Sequence, residues 1–199
     1  MRFPIRFVLS LMSCFCAIQS YSLGAIIVFN GTFSALNENP PNASVGTGTA
    51  IATLDDVAKT LRLQATFSGL TGTVTQSHIH ATASPGANAG IAVGNTSLPS
   101  FPLGVTSGTY DQTLDLNLQS VYNTNFFTNN GGTTATVSDA FITAMKSNRT
   151  YFNIHTSTVG GGEVRANLIT SVPEPSSLAL LGLSIAAISI GYRRVSKKR

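Results

Sequence analysis

Cysteine, tryptophan and charged residues are scarce in this chain of 199 residues. It contains two cysteines and no tryptophan, and charged side chains occupy 10% of its positions. Both cysteines, Cys14 and Cys16, lie at the N-terminal end, so the rest of the chain cannot form a disulfide. A domain of about 145 residues can bury enough apolar surface to fold without disulfides.

Basic residues are scarce outside the two ends of the chain. The formal net charge is +4, but residues 25–170 hold five basic and seven acidic side chains, a net charge of −2. Binding of nucleic acid requires clustered Lys and Arg that displace counterions from phosphates. The sequence therefore predicts no nucleic-acid partner.

The N-terminal end has the pattern of an export signal. Arg2 and Arg6 precede an apolar stretch at 7–18, and small residues follow it. This order is typical of a signal peptide, which we place at 1–24 and expect signal peptidase to remove. A lipoprotein signal is the alternative, in which Cys14 would be lipidated.

The C-terminal end has the pattern of a second targeting segment. An apolar run of about fifteen residues follows a Pro-Glu-Pro sequence, and it is shorter than the roughly twenty that span a bilayer comfortably. A basic cluster beyond this run would hold its end in the cytoplasm. The residues expected to act in sorting are Pro173, Glu174, Pro175, Arg193 and Arg194.

Residues 171–199 closely resemble the PEP-CTERM sorting signal of Gram-negative bacteria. The resemblance implies that a membrane exosortase recognises the Pro-Glu-Pro sequence and removes the tail. It also implies a short transmembrane helix that holds the chain in the inner membrane transiently. The mature protein is then expected at the cell surface or outside the cell.

Between the two ends the hydropathy pattern has period two, which indicates half-buried β-strands. Leu61, Leu63, Ala65 and Phe67, for example, alternate with polar residues. Strands are expected at 25–36, 46–54, 61–67, 110–118, 151–156 and 164–168, and the histidine-bearing segment 77–80 is similar.

One short helix is expected at 139–146, with Ser138 as its N-cap and Phe141, Ile142 and Met145 on its apolar face. Seven or so antiparallel strands joined by turns favour an all-β fold. The expected architecture is a single antiparallel β-sandwich of two sheets at 25–170, Greek-key and immunoglobulin-like.

The three histidines provide the best indication of a functional site. His78 and His80 are two residues apart in one predicted strand, so their side chains share a face. His155 points away from the apolar face of another strand, and Glu163 joins this polar set if the strands are neighbours. Three imidazoles and a carboxylate form a ligand set for zinc or copper.

Other interpretations of these residues stay open. The histidines could simply hydrogen-bond to neighbouring polar groups, and Glu163 could form a cross-strand ion pair with Arg165. A catalytic triad assembled from Ser77, His155 and Asp111 lacks a nucleophile elbow and any ordered spacing. No catalytic residues are therefore predicted, and the chain is not expected to be an enzyme.

Several motifs in the central segment, taken in order, resemble the CHRD domain, which is named after chordin. They begin with Gly31-Thr32-Phe33 and Glu38, continue through Phe67-Ser68-Gly69-Leu70 and Ser77-His78-Ile79-His80, and end with Tyr151 to Thr156 and Gly162 to Arg165. The resemblance implies an extracellular all-β domain. Bacterial members of this family have no established reaction, so the resemblance implies no activity for this chain.

Two functions follow from these observations. The first is a noncatalytic protein of the cell surface or extracellular matrix, which contacts exopolysaccharide or another exported protein. Thr and Asn side chains, with Tyr110, Tyr122 and Tyr151, would then hydrogen-bond to sugars and stack on them. The second is a zinc- or copper-binding or redox protein whose ligands are the three histidines.

Overall fold

Segments of alternating apolar and polar residues form a curled antiparallel sheet in the computed structural model, which describes residues 26–171. Its strands are β1 (Ile26–Ser34), β2 (Thr47–Asp55), β3 (Thr60–Ser68), β4 (Val74–Ala81), β5 (Ile91–Val93), β6 (Gly108–Asp115), β7 (Thr150–Thr156), β8 (Val164–Asn167) and β9 (Ile169–Thr170). The α-helices are α1 (Thr124–Asn129) and α2 (Thr134–Lys146), and short 3₁₀ turns occur at Ala35–Asn37 and Gln119–Val121.

The hydrogen-bonded strands form one sheet, whereas the sequence predicted a sandwich of two. Their spatial order is β5-β4-β7-β8-β1-β2-β3-β6, and β9 pairs with β1. The two halves join where Ser34 pairs with Arg165 and where Phe29 and Asn30 pair with β9. Periodicity shows which face of a strand is buried, but it does not show which strand edges pair, so it could not reveal this junction.

The period-two pattern does identify the core correctly. Leu61, Leu63, Ala65 and Phe67 of β3 are buried, while the residues between them are partly or fully exposed. Phe152 lies at the centre of the core, with its ring centroid 5.3 Å from that of Phe33. Burial of a side chain of this size contributes about 1.5–3 kcal/mol to folding.

The structure corrects two predicted element boundaries. Strand β6 ends at Asp115, and Leu118 beyond it is 52% exposed instead of buried. The helix predicted from Asp139 begins at Thr134, because the Thr133 side chain accepts a hydrogen bond from the Thr136 backbone N–H and caps it. Ser138 is therefore a helical residue and not the N-cap.

Residues 26–171 contain two α-helices, where the sequence predicted one in this part of the chain. The short helix α1 was not predicted, although Asn123 caps it by accepting a hydrogen bond from the Asn125 N–H. Its Phe126 packs with Tyr122 and Phe141, so both helices contribute to the hydrophobic core. The predicted signal peptide and residues 172–199 of the predicted sorting segment lie outside the described residues.

Candidate metal centre

The three histidines lie together on the face of the sheet that points away from the hydrophobic core. Strands β4 and β7 are antiparallel neighbours, and their register places His78 opposite Asn153 and Gln76 opposite His155. Side chains at such positions are within about 5 to 8 Å of one another. The strand pairing on which the predicted histidine cluster depends is therefore present.

The distances between the rings fit a common ligand. One ring nitrogen from each of His78, His80 and His155 lies within 4.8 Å of one from each of the others. The ring centroids are separated by 5.1 Å for His78 and His155, 6.0 Å for His78 and His80, and 6.2 Å for His80 and His155. Three imidazoles at these separations can face a single ion.

Backbone carbonyls fix one nitrogen of each ring. His78 Nε2 contacts the Thr96 carbonyl, His80 Nδ1 that of Ala89 and His155 Nδ1 that of Gly160, each at 2.9 Å. Because a carbonyl only accepts, each of these nitrogens carries the proton and donates it. In the neutral ring the other nitrogen then bears the lone pair that a metal requires.

The remaining ring nitrogens have no hydrogen-bond partner in the part of the chain that the structure describes. His78 Nδ1, His80 Nε2 and His155 Nε2 are buried and accept no hydrogen bond from any residue in 26–171. Buried polar atoms are nearly always satisfied, and an unpaired one costs about 1–3 kcal/mol. Three such atoms in one cluster are unusual for a histidine set whose role is only to hydrogen-bond.

Burial keeps the imidazoles neutral. It lowers the pKa of all three histidines, and that of His80 falls to about 4. The carbonyl hydrogen bonds oppose this effect without cancelling it. Since a metal binds the unprotonated ring, the cluster is in its ligand form at neutral pH.

A stack of side chains supports His80 from the direction of β8. The Tyr151 ring lies parallel to that of His80 with centroids 4.6 Å apart, and the Arg165 guanidinium carbon is 3.8 Å from the centre of the Tyr151 ring. Arg165 in turn donates to the Ala87 carbonyl and to Asn88, which holds the loop that supplies the Ala89 carbonyl.

Glu38 completes this arrangement, although the sequence analysis gave it no role. Its carboxylate is buried, forms an ion pair with Arg165 at 3.1 Å and accepts from Asn153 Nδ2 at 2.6 Å. Burial raises its pKa, and Arg165 only partly offsets that effect. Glu38 lies in a loop where periodicity carries no information, so the strand pattern could not reveal the contact.

Glu163 lies in a different network from the histidine nitrogens. Its carboxylate accepts hydrogen bonds from the hydroxyls of Ser44, Thr71 and Thr156 and from the backbone N–H groups of Thr71 and Gly72. Burial alone would raise the pKa of Glu163, but these bonds outweigh it and the pKa is lowered. The structure thus brings together three of the four predicted ligands.

The other candidates from the sequence do not assemble. Ser77 donates to the Asn153 carbonyl, and Asp111 pairs with Arg62 on β3, on the other half of the sheet from His155. Tyr110, Tyr122 and Tyr151, expected to stack on sugars, are 3–5% exposed, and so their rings are not available at the surface.

Comparison with protein families identifies two segments of the chain. The CHRD domain matches residues 29–168, and the PEP-CTERM protein-sorting motif matches residues 171–195. Comparisons with curated proteins and with solved structures gave no significant match. Neither helix in the described part of the chain has the length and apolar composition needed to cross a membrane.

The matches agree with both resemblances seen in the sequence. The CHRD match covers more than half of the 199 residues and includes all three clustered histidines. Both matched segments are of non-catalytic kinds, and a PEP-CTERM motif implies export and processing by an exosortase. The chain belongs to the CHRD domain family and carries a C-terminal PEP-CTERM sorting motif.

Proposed function

We propose that this protein is an exported surface protein whose CHRD domain binds a transition-metal ion, zinc or copper, through His78, His80 and His155. One observation carries the proposal: three convergent imidazoles are each anchored by a carbonyl at one nitrogen, and the other nitrogen of each is buried and has no hydrogen-bond partner among residues 26–171. That is the arrangement of metal-binding histidines and their hydrogen-bonded supports.

Only small movements of the three histidine side chains are required to bring their nitrogens to bonding distance of one ion. Bonds of about 2.0–2.1 Å from three nitrogens to one metal place those nitrogens roughly 3.4 Å apart. The nitrogens in the cluster are at most 4.8 Å apart, so ring rotations and side-chain shifts of about 1 Å suffice. Because Glu163 is already held by other donors, the proposed ligand set consists of the histidines alone.

Elemental analysis of the exported protein tests the proposal. Purified protein is exposed to Zn(II) or copper, passed through a desalting column and compared with a His78→Ala/His80→Ala variant. We expect about one metal ion per chain in the unaltered protein and none retained by the variant. Gln112→Ala, an exposed change on β6, is the matched control and should retain the ion. Metal-free unaltered protein would contradict the proposal.

The sorting motif favours a second role in the extracellular matrix, with exopolysaccharide or another exported protein as the partner. The surface available for it is the outer face of β2, β3 and β6. A shallow depression of about 290 Å³ there is lined by polar side chains that include Thr49, Gln64, Thr66, Thr109 and Asp111. Hydroxyl and amide groups on an open face suit hydrogen bonding to sugar hydroxyls. Co-sedimentation with exopolysaccharide from the same host, with and without Gln64→Ala/Thr66→Ala, tests this role.

The same proposal includes removal of the C-terminal tail at the Pro173-Glu174-Pro175 sequence, with Arg193 and Arg194 acting as the stop signal. Mass spectrometry of the mature protein from its native host provides the test. We expect both the segment 1–24 and the tail to be missing, and we expect a Glu174→Ala variant to retain its tail. A mature protein that still contains residues 178–199 would contradict tail removal.

A further inference from the structure

We infer that the centre formed by His78, His80 and His155 is selective for cuprous copper, which three imidazole nitrogens hold in a trigonal arrangement. The inference rests on the proposed metal-binding function and goes beyond it, because it names one ion, one oxidation state and one coordination number. Three features of the described residues carry it: the charge of the site, the number of donors and the fixed orientation of the rings.

The charge around the centre suits a monovalent ion. Its donors are three neutral imidazoles, and no carboxylate of residues 26–171 belongs to the cluster. The charged side chains in the adjoining network, Arg165 and Glu38, neutralise each other at 3.1 Å. Cu(I) would leave one uncompensated charge in this site, whereas Zn(II) or Cu(II) would leave two. Because a buried charge without a counter-charge is costly, the site favours the monovalent ion.

The number of donor nitrogens also favours Cu(I). Zinc in proteins takes four ligands, and where the protein supplies three of them a water fills the fourth position. The nitrogens His78 Nδ1, His80 Nε2 and His155 Nε2 are buried from solvent, and one ring nitrogen of each histidine lies within 4.8 Å of one from each of the others. Cu(I) has a filled d shell and is stable with three nitrogen donors, whereas Cu(II) favours tetragonal sites with nitrogen and oxygen ligands.

The orientation of the rings opposes rearrangement toward a larger ligand set. Three separate loops supply the carbonyls that hold the imidazoles, and Tyr151 stacks on His80 with an interplanar angle of 6°. Arg165 fastens one of these loops through Ala87 and Asn88. These contacts limit how far the rings can turn to suit a tetragonal ion.

The exposed residue Gln76 provides a way to change the charge without removing a ligand. Gln76 is directly opposite His155 in the β4–β7 register, so its side chain is on the same face as the cluster. A Gln76→Glu substitution places a carboxylate next to the centre, which should favour a divalent ion. The matched control is Gln112→Glu, the same change at an exposed position on β6, on the opposite half of the sheet.

Competitive titrations of the exported protein test the inference. Cu(I) is titrated anaerobically against bicinchoninate, and Cu(II) and Zn(II) are titrated against chelators of known affinity. We expect Cu(I) to bind at least about a hundredfold more tightly than Cu(II), which raises the copper reduction potential by about 120 mV over the free-ion couple. Gln76→Glu should reduce that preference about tenfold, and Gln112→Glu should leave it unchanged. X-ray absorption of the Cu(I) form should show three nitrogen neighbours.

The possible results separate the inference from the proposed function. Binding of Zn(II) or Cu(II) as tightly as Cu(I), or a fourth ligand on Cu(I), would overturn the inference while the proposed metal-binding function stands. Failure of all three ions to bind would overturn both. A preference for Cu(I) that Gln76→Glu and Gln112→Glu reduce equally would contradict the argument from charge.

Discussion

Glu38 and Arg165 form a buried ion pair at 3.1 Å although they are 127 residues apart in the sequence. Glu38 lies just after the first strand and Arg165 in the eighth, so the pair joins the two ends of the described chain. Asn153 donates to the same carboxylate, and Arg165 lies against the Tyr151 ring. The stability of the fold and the position of the histidine cluster are therefore coupled through this pair.

Removal of one member of the pair should destabilise the protein strongly. Glu38→Gln leaves the Arg165 charge buried without its partner, and the expected loss in the free energy of unfolding is about 3–5 kcal/mol. The double variant Glu38→Gln/Arg165→Met should lose less than the sum of the two single changes. Urea denaturation of all four proteins measures this coupling.

The control for this cycle is the exposed pair Arg62–Asp111, whose side chains are half exposed. Asp111→Asn should change stability little, because water already screens the two charges. Additive effects at Glu38 and Arg165 would show that the ion pair is not coupled as the structure indicates.

Glu163 should make stability depend on pH in the acid range. Hydrogen bonds lower the pKa of Glu163 below its usual 4.5 despite burial, so its carboxylate stabilises the fold fully above pH 4.5. That contribution is lost as the pH falls through the lowered pKa. Glu163→Gln should therefore cost about 1.5–3 kcal/mol at pH 7 and progressively less in acid.

Denaturant unfolding of the unaltered protein and of Glu163→Gln at several pH values between 3 and 7 measures this difference. Asp139→Asn provides the comparison, because Asp139 is largely exposed and pairs with Lys59 at the surface. If the difference between the unaltered protein and Glu163→Gln stays constant with pH, the carboxylate is not ionised as the hydrogen bonds require.

The histidine cluster could be predicted from the sequence because it depends on local geometry. A strand period of two places His78 and His80 on one face, and the apolar residues beside His155 show which way it points. Only the pairing of β4 with β7 had to be assumed. Glu163 was assigned to the set by the same count, but it lies just before β8, where the count no longer describes the direction of the side chain.

Burial of the polar face could not be predicted in this way. Periodicity indicated that the side of the sheet bearing His78 and Tyr151 faces water, yet both residues are nearly inaccessible. Loops that carry Ala89, Thr96 and Gly160 cover them. Loop paths depend on long-range contacts such as Glu38 to Arg165, and these contacts leave no periodic signal in the sequence.

Binding of the metal should stabilise the native state measurably. An ion at a hundred times its dissociation constant adds about 2.7 kcal/mol to the free energy of unfolding. For a domain of this size, that corresponds to an increase of roughly 5–10 °C in Tm. Differential scanning calorimetry with and without metal should show the increase, and an excess of EDTA or of a Cu(I) chelator should reverse it.

The His78→Ala/His80→Ala variant controls for nonspecific binding in this experiment. It should show no increase in Tm with metal, although its Tm without metal need not equal that of the unaltered protein. An equal increase in the variant would place the bound ion outside the cluster.

Gly48 lies where the sheet has no room for a side chain. Near the start of β2 it pairs with Phe33 on one side and Phe67 on the other, and a Cβ atom there would collide with the Thr66 carbonyl and the Phe67 backbone. Backbone atoms in a central strand cannot move aside without breaking the hydrogen bonds to the neighbouring strands. Gly48→Ala should therefore cost at least about 2 kcal/mol, measured by urea denaturation.

Gly161→Ala is the matched control, because a Cβ atom at Gly161 meets open space. Its effect should stay within about 0.5 kcal/mol, as for most surface substitutions. The two variants differ in local crowding and not in chemistry, so the comparison isolates the close approach of β2 to β3. Equal stability of the two variants would mean that β2 and β3 are farther apart in solution. The pairing register of the strands from β1 through β2 and β3 to β6 would then need revision.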